Sequence, residues 1–288
     1  MIGIDWGTSS LRAYRLGADG AVLEKRDSAD GILSVAAGGF PGVLQRVAGD
    51  WLAAGETRVL LCGMVGSRQG WVEAPYLPCP AGPAEIAAQL TRVPFEGAEI
   101  RLVPGLVTRD AGGVPDVMRG EETKLVGLLA AGVAGQVCLP GTHSKWVRLE
   151  GGRVTGFATH MTGEVRAVLL AHSILGKLMQ PGESDAAFAR GVSRSGEPGG
   201  LLHHAFGTRG LGLLGELAEA ETASYLSGLL IGHEIRAALR PGELVHLAAA
   251  AALAAPYAAA LRLLGAELRE HDPDIVVRGL VEIGRHWA

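Results

Sequence analysis

Met1-Ile-Gly-Ile-Asp-Trp-Gly-Thr-Ser-Ser-Leu-Arg-Ala-Tyr-Arg15 is the stretch whose reading decides the fold. Ile2 and Ile4 alternate with Gly3 and Asp5, and Leu11, Ala13 and Arg15 alternate with Arg12 and Tyr14. Alternation of this kind marks strands with one buried face, and a short Gly7-Thr8-Ser9 turn between two such runs predicts an antiparallel pair. A third run, Ala21 to Leu23, follows the turn from Gly17 to Gly20. The arrangement returns in Val137-Cys-Leu-Pro-Gly-Thr-His-Ser-Lys-Trp-Val-Arg148, followed by the Gly151-Gly152 turn and a third run. One pattern used once per half predicts duplicated domains facing one another. A turn of small residues exposes backbone N–H groups and hydroxyls that cradle phosphate oxygens. Two such turns would grip a nucleoside triphosphate.

Bulk properties agree with a two-domain α/β protein. The chain has 288 residues, 48% hydrophobic and 19% charged, enough for a packed core and too apolar for disorder. The net charge of −4, with no basic cluster, gives no sign of nucleic-acid binding. The 43 glycines and 14 prolines are spread through the chain and read as turns, not as a linker. Cys62, Cys79 and Cys138 are widely spaced and suggest buried small hydrophobes, neither a disulfide framework nor a zinc site. The first residues read as a strand, without the basic-then-apolar order of a signal peptide. Leu247 to Leu261 is Ala-rich but too short and weakly apolar for a membrane span. A soluble, cytoplasmic protein with no membrane partner is expected; the oligomeric state stays open, a homodimer included.

Further along, Pro41 to Ala53 reads as an amphipathic helix and Arg58 to Cys62 as a strand. The loop Gly63-Met-Val-Gly-Ser-Arg-Gln-Gly-Trp71 lies beyond that strand's carboxyl end, where α/β sheets hold ligands. A helix at Ala84 to Thr91 and a strand at Ile100 to Pro104 complete the first half. Val107 to Met118 is expected to be a polar connection and Glu121 to Ala131 a helix, which places the domains at 1–118 and 119–288. Strands Val137 to Leu139, Lys145 to Leu149 and Arg153 to Ala158 open the second half. Helices are expected over roughly 163–179, 183–193, 211–239 with a break, and 249–264, before Val276 to Trp287 closes the chain.

Several residue types fit phosphoryl chemistry. Asp5, at the end of the first strand, would hold Mg²⁺ beside phosphates, or only brace the backbone as an Asx turn. Gly7, Thr8, Ser9 and Arg12 would add amide, hydroxyl and cationic contacts. After the second turn, Gly141, Thr142, His143, Ser144 and Lys145 form the matching phosphate set, with Lys145 as a point charge or a plain surface lysine. No carboxylate partner for His143 is visible in the sequence. Arg119-Gly-Glu-Glu-Thr-Lys124 opens a helix whose acidic first turn suits the helix dipole. A carboxylate there would also accept the proton of a sugar hydroxyl, with Glu121 preferred over Glu122 and Asp116. Arg68, Arg109 and Arg119 lie in loops and would suit a substrate carboxylate, with Gly66, Ser67 and Gln69 around them. His203-His204 and Glu216 to Glu221 read as exposed helix surface.

Cys62-Gly-Met-Val-Gly-Ser-Arg-Gln-Gly-Trp-Val-Glu-Ala-Pro-Tyr76, Asp116-Val-Met-Arg-Gly-Glu-Glu-Thr123 and Leu139-Pro-Gly-Thr-His-Ser-Lys-Trp146 together resemble the 2-dehydro-3-deoxygalactonokinase family. Met161-Thr-Gly-Glu164 and Ser227-Gly-Leu-Leu-Ile-Gly-His-Glu234 fit it as well. The paired Gly-Thr turns resemble those of the wider actin/hexokinase/heat-shock ATPase superfamily. The resemblance implies two similar actin-like (ribonuclease H-like) domains, with a sugar-acid side at 1–118, a nucleotide side at 119–288 and a nucleotide cleft between them. It also implies ATP, with Mg²⁺, as phosphoryl donor to 2-dehydro-3-deoxy-D-galactonate, giving the 6-phosphate in D-galactonate breakdown. A kinase of another sugar or sugar acid, and a polyphosphate or nucleotide phosphohydrolase, are the alternatives. One departure stands out: where superfamily members carry glycines near the adenosine, this chain reads Leu247-Ala-Ala-Ala-Ala-Ala252.

Overall fold

Strands β1 (Ile2–Trp6), β2 (Leu11–Leu16) and β3 (Val22–Ser28) form the expected antiparallel opening in the computed structural model, which describes residues 1–272 and 274–287. Then come α1 (Phe40–Ala53), β4 (Arg58–Cys62), β5 (Tyr76–Pro78), α2 (Pro83–Ala88), β6 (Thr91–Val93), β7 (Glu99–Leu102), β8 (Gly105–Arg109), β9 (Pro115–Met118) and α3 (Glu121–Ala130). The second series is β10 (Gly135–Leu139), β11 (Ser144–Glu150), β12 (Arg153–His160), α4 (Thr162–His172), α5 (Asp185–Arg194), α6 (Gly200–Leu213) and α7 (Thr222–Ala238). It ends with β13 (Val245–Ala248), α8 (Ala251–Leu263), β14 (Leu268–His271) and α9 (Ile275–His286).

The first sheet has the order β3-β2-β1-β4-β7-β6, with β1 antiparallel to β2 and parallel to β4, and β4 parallel to β7. The second sheet has the order β12-β11-β10-β13-β14, with β10, β13 and β14 parallel. In both, the opening strand lies beside its hairpin partner on one side and a later parallel strand on the other. The duplication inferred from two turns is therefore a duplication of topology.

Two compact units emerge: Met1–Ala134 with Arg148–Phe157 and Asp274–Ala288, and Gly135–Val147 with Ala158–Pro273. This division does not coincide with the expected boundary at 118/119, because α3 and α9 both pack in the first unit. Those two helices approach so closely that a Cβ on Gly279 would sit 1.8 Å from the Thr123 carbonyl oxygen. In the second unit α5 and α7 meet the same way, a Cβ on Gly228 falling 2.0 Å from the Phe188 carbonyl oxygen.

In the first unit α1 buries Val43, Leu44, Val47, Ala48 and Trp51, a stripe at helical spacing turned onto the sheet. Trp6 on β1 meets Phe40 edge-on at 5.4 Å and Trp71 at 6.4 Å between ring centroids. Each such large apolar side chain, once buried, contributes about 2–3 kcal/mol. Trp71 thereby pins the 63–76 loop against the strand that carries Asp5.

Several expectations are corrected. Residues 107–118 are not a plain connection: β8 and β9 form a hairpin, and with β5 they make a third sheet. Asp110 closes its turn by accepting the amides of Gly112 and Val114, a local arrangement that alternation does not reveal. The helix expected to reach 179 ends at His172, and α6 begins at Gly200, ahead of the helix expected from 211. His204 is not on the surface but fully buried, its ring 3.0 Å from His233 Nε2 and 3.1 Å from the Pro198 carbonyl.

Candidate active site

The first turn has the carbonyls of Gly7 and Thr8 occupied, while the amides of Thr8 and Ser9 make no backbone hydrogen bond among the described residues. Gly7 N–H donates to Ser10 O at 2.9 Å, closing the turn. Ile32 and Leu33 donate to the carbonyls of Gly7 and Thr8 at 3.0 and 3.2 Å. A Cβ on Gly31 would lie 2.3 Å from the Thr8 carbonyl oxygen, so a bare backbone is required there. Thr8 and Ser9 are exposed, and their amides make no backbone hydrogen bond among the described residues.

The second turn repeats the device. Glu164 N–H donates to the Thr142 carbonyl at 3.0 Å. A Cβ on Gly163 would lie 2.5 Å from the Gly141 carbonyl oxygen. Thr142 and His143 are exposed and their amides are likewise unused among the described residues. His143 does have a carboxylate partner, contrary to expectation: its Nε2 is 2.5 Å from Glu164 Oε2. The partner comes from the start of α4 and could be found only through the fold. Ser144 and Lys145 are buried at the start of β11.

Asp5 lies in register with Arg12 on β2 and Cys62 on β4. Its side chain is 19% exposed and Arg12 Nη1 is 3.8 Å away. Burial raises its carboxyl above the ordinary value, while the charges of Lys124 and Arg12 pull it back. A nearly buried carboxylate whose guanidinium neighbour stands off at 3.8 Å is suited to a cation. Among the described residues no three His, Cys, Asp or Glu side chains form a metal cage. One carboxylate is nevertheless the protein share expected for Mg²⁺, which keeps several waters and takes its other oxygens from phosphates.

Two glycines bring the start of α3 close to Asp5. Gly63, after β4, has φ of +97°, and a Cβ there would lie 2.7 Å from the Trp6 carbonyl oxygen and 3.3 Å from Asp5 Oδ1. Gly120, before α3, has φ of +103°, and its Cβ would lie 3.2 Å from Gly63 Cα. Side-chain-bearing residues hold such conformations only under strain. The start of α3 is thus set beside the end of β1.

Glu122 folds back on its own helix: Oε2 accepts the Gly120 amide at 2.6 Å and Oε1 accepts the Thr123 hydroxyl at 3.2 Å. It is fully buried, and burial, with the nearby charge of Glu121, pushes its carboxyl up to about 8. Its capping contacts make it a structural acid of the helix start. Glu121 beside it is half-buried. Asp116 is half-buried on β9, opposite Thr108 of β8.

The three arginines have different fates. Arg68 is 87% exposed and 3.6 Å from Glu73. Arg109 is exposed at the β8–β9 hairpin, donating to the Gly113 carbonyl. Arg119 is 9% exposed, donates through Nη2 to the Ala74 carbonyl at 2.8 Å and stacks 4.4 Å over the Tyr76 ring. Its Nε and Nη1 are buried without hydrogen-bond partners among the described residues. A Cβ on Gly66 would lie 3.1 Å from Nη1, so Arg119 grips both ends of the 66–76 loop. Ser67 Oγ is also buried and unpartnered among the described residues, whereas Gln69 is exposed.

The Ala-rich segment does not attempt a left-handed turn. Ala250 has φ of −63°, and no residue other than glycine takes a positive φ among those described. Small side chains at negative φ permit close approach there without strain.

The chain matches a known family over almost its whole length. The model of the family described as 2-keto-3-deoxy-galactonokinase matches residues 5–283. A Rhizobium meliloti (strain 1021) protein, named provisionally as a 2-dehydro-3-deoxygalactonokinase, is 43% identical over 96% of this chain and 93% of its own. The 2-dehydro-3-deoxygalactonokinase of Escherichia coli (strain K12) is 38% identical over 93% of this chain and 91% of its own. A crystal structure of a Sinorhizobium meliloti protein given the same provisional name superposes with a TM-score of 0.91 at 41% identity, covering 99% of this chain and 98% of that one. The fold is the duplicated α/β fold that the resemblance implied, and the chain belongs to the 2-keto-3-deoxy-galactonokinase family.

Proposed function

We propose that the chain transfers the γ-phosphoryl group of ATP to the terminal hydroxyl of 2-dehydro-3-deoxy-D-galactonate, releasing ADP and the 6-phosphate. The observation that carries this reading is the repeated turn: in each unit the threonine carbonyl of a Gly-Thr turn accepts a backbone amide, while the amides of that threonine and of the next residue make no backbone hydrogen bond among the described residues. Such amides bind phosphate oxygens without adding a mobile charge. Family membership supplies the sugar acid.

In this reading the backbone N–H groups of Thr8 and Ser9, and those of Thr142 and His143, are phosphate donors. Arg12 and Lys145 add positive charge. Asp5 would hold Mg²⁺, directly or through water; when bound, the ion neutralises charge on the phosphates. Glu121 accepts the proton as the substrate oxygen bonds to the γ-phosphorus and the bond to the bridging oxygen of ADP breaks. Glu122 is bound up in capping the start of α3, which gives Glu121 the better claim of the pair to the proton. Arg119 and the loop of Gly66, Ser67, Arg68 and Gln69 receive the sugar acid. Of the three arginines Arg119 has the strongest claim on its carboxylate, since a buried guanidinium with unused N–H groups is costly unless an anion completes it.

The test is ATP consumption by purified protein with Mg²⁺ and a panel of sugars and sugar acids, both the galactonate substrate and its gluconate epimer included. Turnover with the galactonate compound supports the assignment. Turnover only with another sugar would overturn the substrate, and phosphate release without any acceptor would point to a hydrolase.

A further inference from the structure

Ser144 follows the Gly141–Thr142–His143 turn directly and heads a buried chain of polar groups. Its Oγ is 2.7 Å from Tyr257 Oη, which is 2.7 Å from Glu234 Oε2, and Trp146 Nε1 donates to Glu234 Oε1 at 2.8 Å. Ser144, Trp146, Glu234 and Tyr257 are each no more than 4% exposed. Chemistry fixes the hydrogens. An indole N–H only donates, Tyr257 Oη donates to Glu234 Oε2, and a hydroxyl has a single hydrogen, so Ser144 donates to Tyr257. Burial, with Glu234 alongside, keeps the Tyr257 hydroxyl protonated.

The surroundings are apolar: Cys138, Ile231, Ile235, Leu247 and Leu261 belong to the same cluster. Phenylalanine at 257 would fill that space equally well, so packing does not call for the hydroxyl. A satisfied polar chain in an apolar core selects one arrangement out of many packings of similar density. The arrangement selected here joins β11, α7 and α8 at the residue behind the turn.

We propose that Tyr257 is a positioning residue for nucleotide binding: through Ser144 it holds the Gly141–His143 turn in the conformation that presents its amides to phosphate. The inference rests on the reading that this turn binds ATP phosphates. It adds Tyr257, Glu234 and Trp146, none of which touches the turn's amides, to the residues that set nucleotide affinity.

The experiment compares wild type, Tyr257→Phe, Ser144→Ala and the double variant. Binding of Mg²⁺-adenylyl imidodiphosphate is measured by calorimetry, alongside thermal unfolding and the KM values for ATP and the sugar acid. Tyr257→Phe should weaken analogue binding and raise KM for ATP roughly tenfold, with KM for the sugar acid within about twofold. The double variant should lose no more than the worse single variant, because both cut one chain. A lower Tm with unchanged nucleotide affinity would show a purely structural role and overturn the inference, as would additive losses. Should Tyr257→Phe fail to fold, Ser144→Ala decides by the same readout. Wild type that binds the analogue but phosphorylates no sugar acid would sink the functional reading and leave this one standing. Wild type that binds no nucleotide overturns both.

Discussion

Gly120 lies so close to Gly63 that a methyl group on the first would come within 3.2 Å of the second's Cα, while both backbones are left-handed. This contact sets the start of α3, with Glu121 and Glu122, beside Asp5. Gly120→Ala is therefore expected to cost about 1–2 kcal/mol of stability from its positive φ and to displace Glu121. Turnover should fall by roughly 100-fold, with ATP binding nearly retained. Steady-state kinetics on protein of verified fold checks this; a variant with normal kcat would show that the Gly63–Gly120 contact does not set the catalytic geometry.

Glu122 makes stability depend on pH in an identifiable direction. Its folded-state pKa, about 8, lies above the unfolded value of 4.5. The folded protein therefore keeps a proton that the unfolded chain releases, and this contribution is full below the unfolded value and is lost as pH rises through about 8. The loss is on the order of 3–5 kcal/mol. Glu122→Gln keeps an acceptor for the Gly120 amide and cannot ionise. Urea midpoints measured from pH 5 to 9 should fall for wild type relative to the variant; parallel curves would exclude the linkage.

Arg119 and Arg68 should separate cleanly. Arg119→Lys loses the Tyr76 stack and the planar donor set, and is expected to raise KM for the sugar acid roughly tenfold with KM for ATP little changed. Arg68→Ala, at an exposed position, should raise that KM less than Arg119→Lys does. The reverse order would move carboxylate recognition to the loop arginine.

Gly163→Ala tests the second turn from outside. Its methyl group would meet the Gly141 carbonyl oxygen at 2.5 Å, so the turn or α4 must shift. The expected result is an increase of about tenfold or more in KM for ATP, with sugar-acid KM unaffected. An unchanged KM for ATP would mean the turn is not where phosphate binds.

Glu121→Gln isolates proton transfer. The substitution keeps shape and removes the base, so turnover should drop by about 10²–10⁴-fold with both ligands still bound. Near-normal turnover would exclude Glu121 and return the role to Asp116.

The sequence by itself determined the two hairpins, their turns and the duplication, because alternation and small-residue turns are local signals that no distant contact has to supply. It also put Asp5 on the first strand and a helix start at Arg-Gly-Glu-Glu, as β1 and α3 have them. It missed the β8–β9 hairpin, whose turn is closed by an Asp110 side chain, and α6, whose apolar residues Leu202 and Phe206 are largely exposed and give no stripe to read. Only the tertiary structure decided which acid caps the helix start, which arginine is buried, and that Glu164 meets His143 while Tyr257 and Glu234 line up behind Ser144. Those facts depend on residues distant in sequence meeting at backbone approaches of Gly31, Gly63, Gly120 and Gly163, and a linear pattern carries no record of which glycine faces which neighbour.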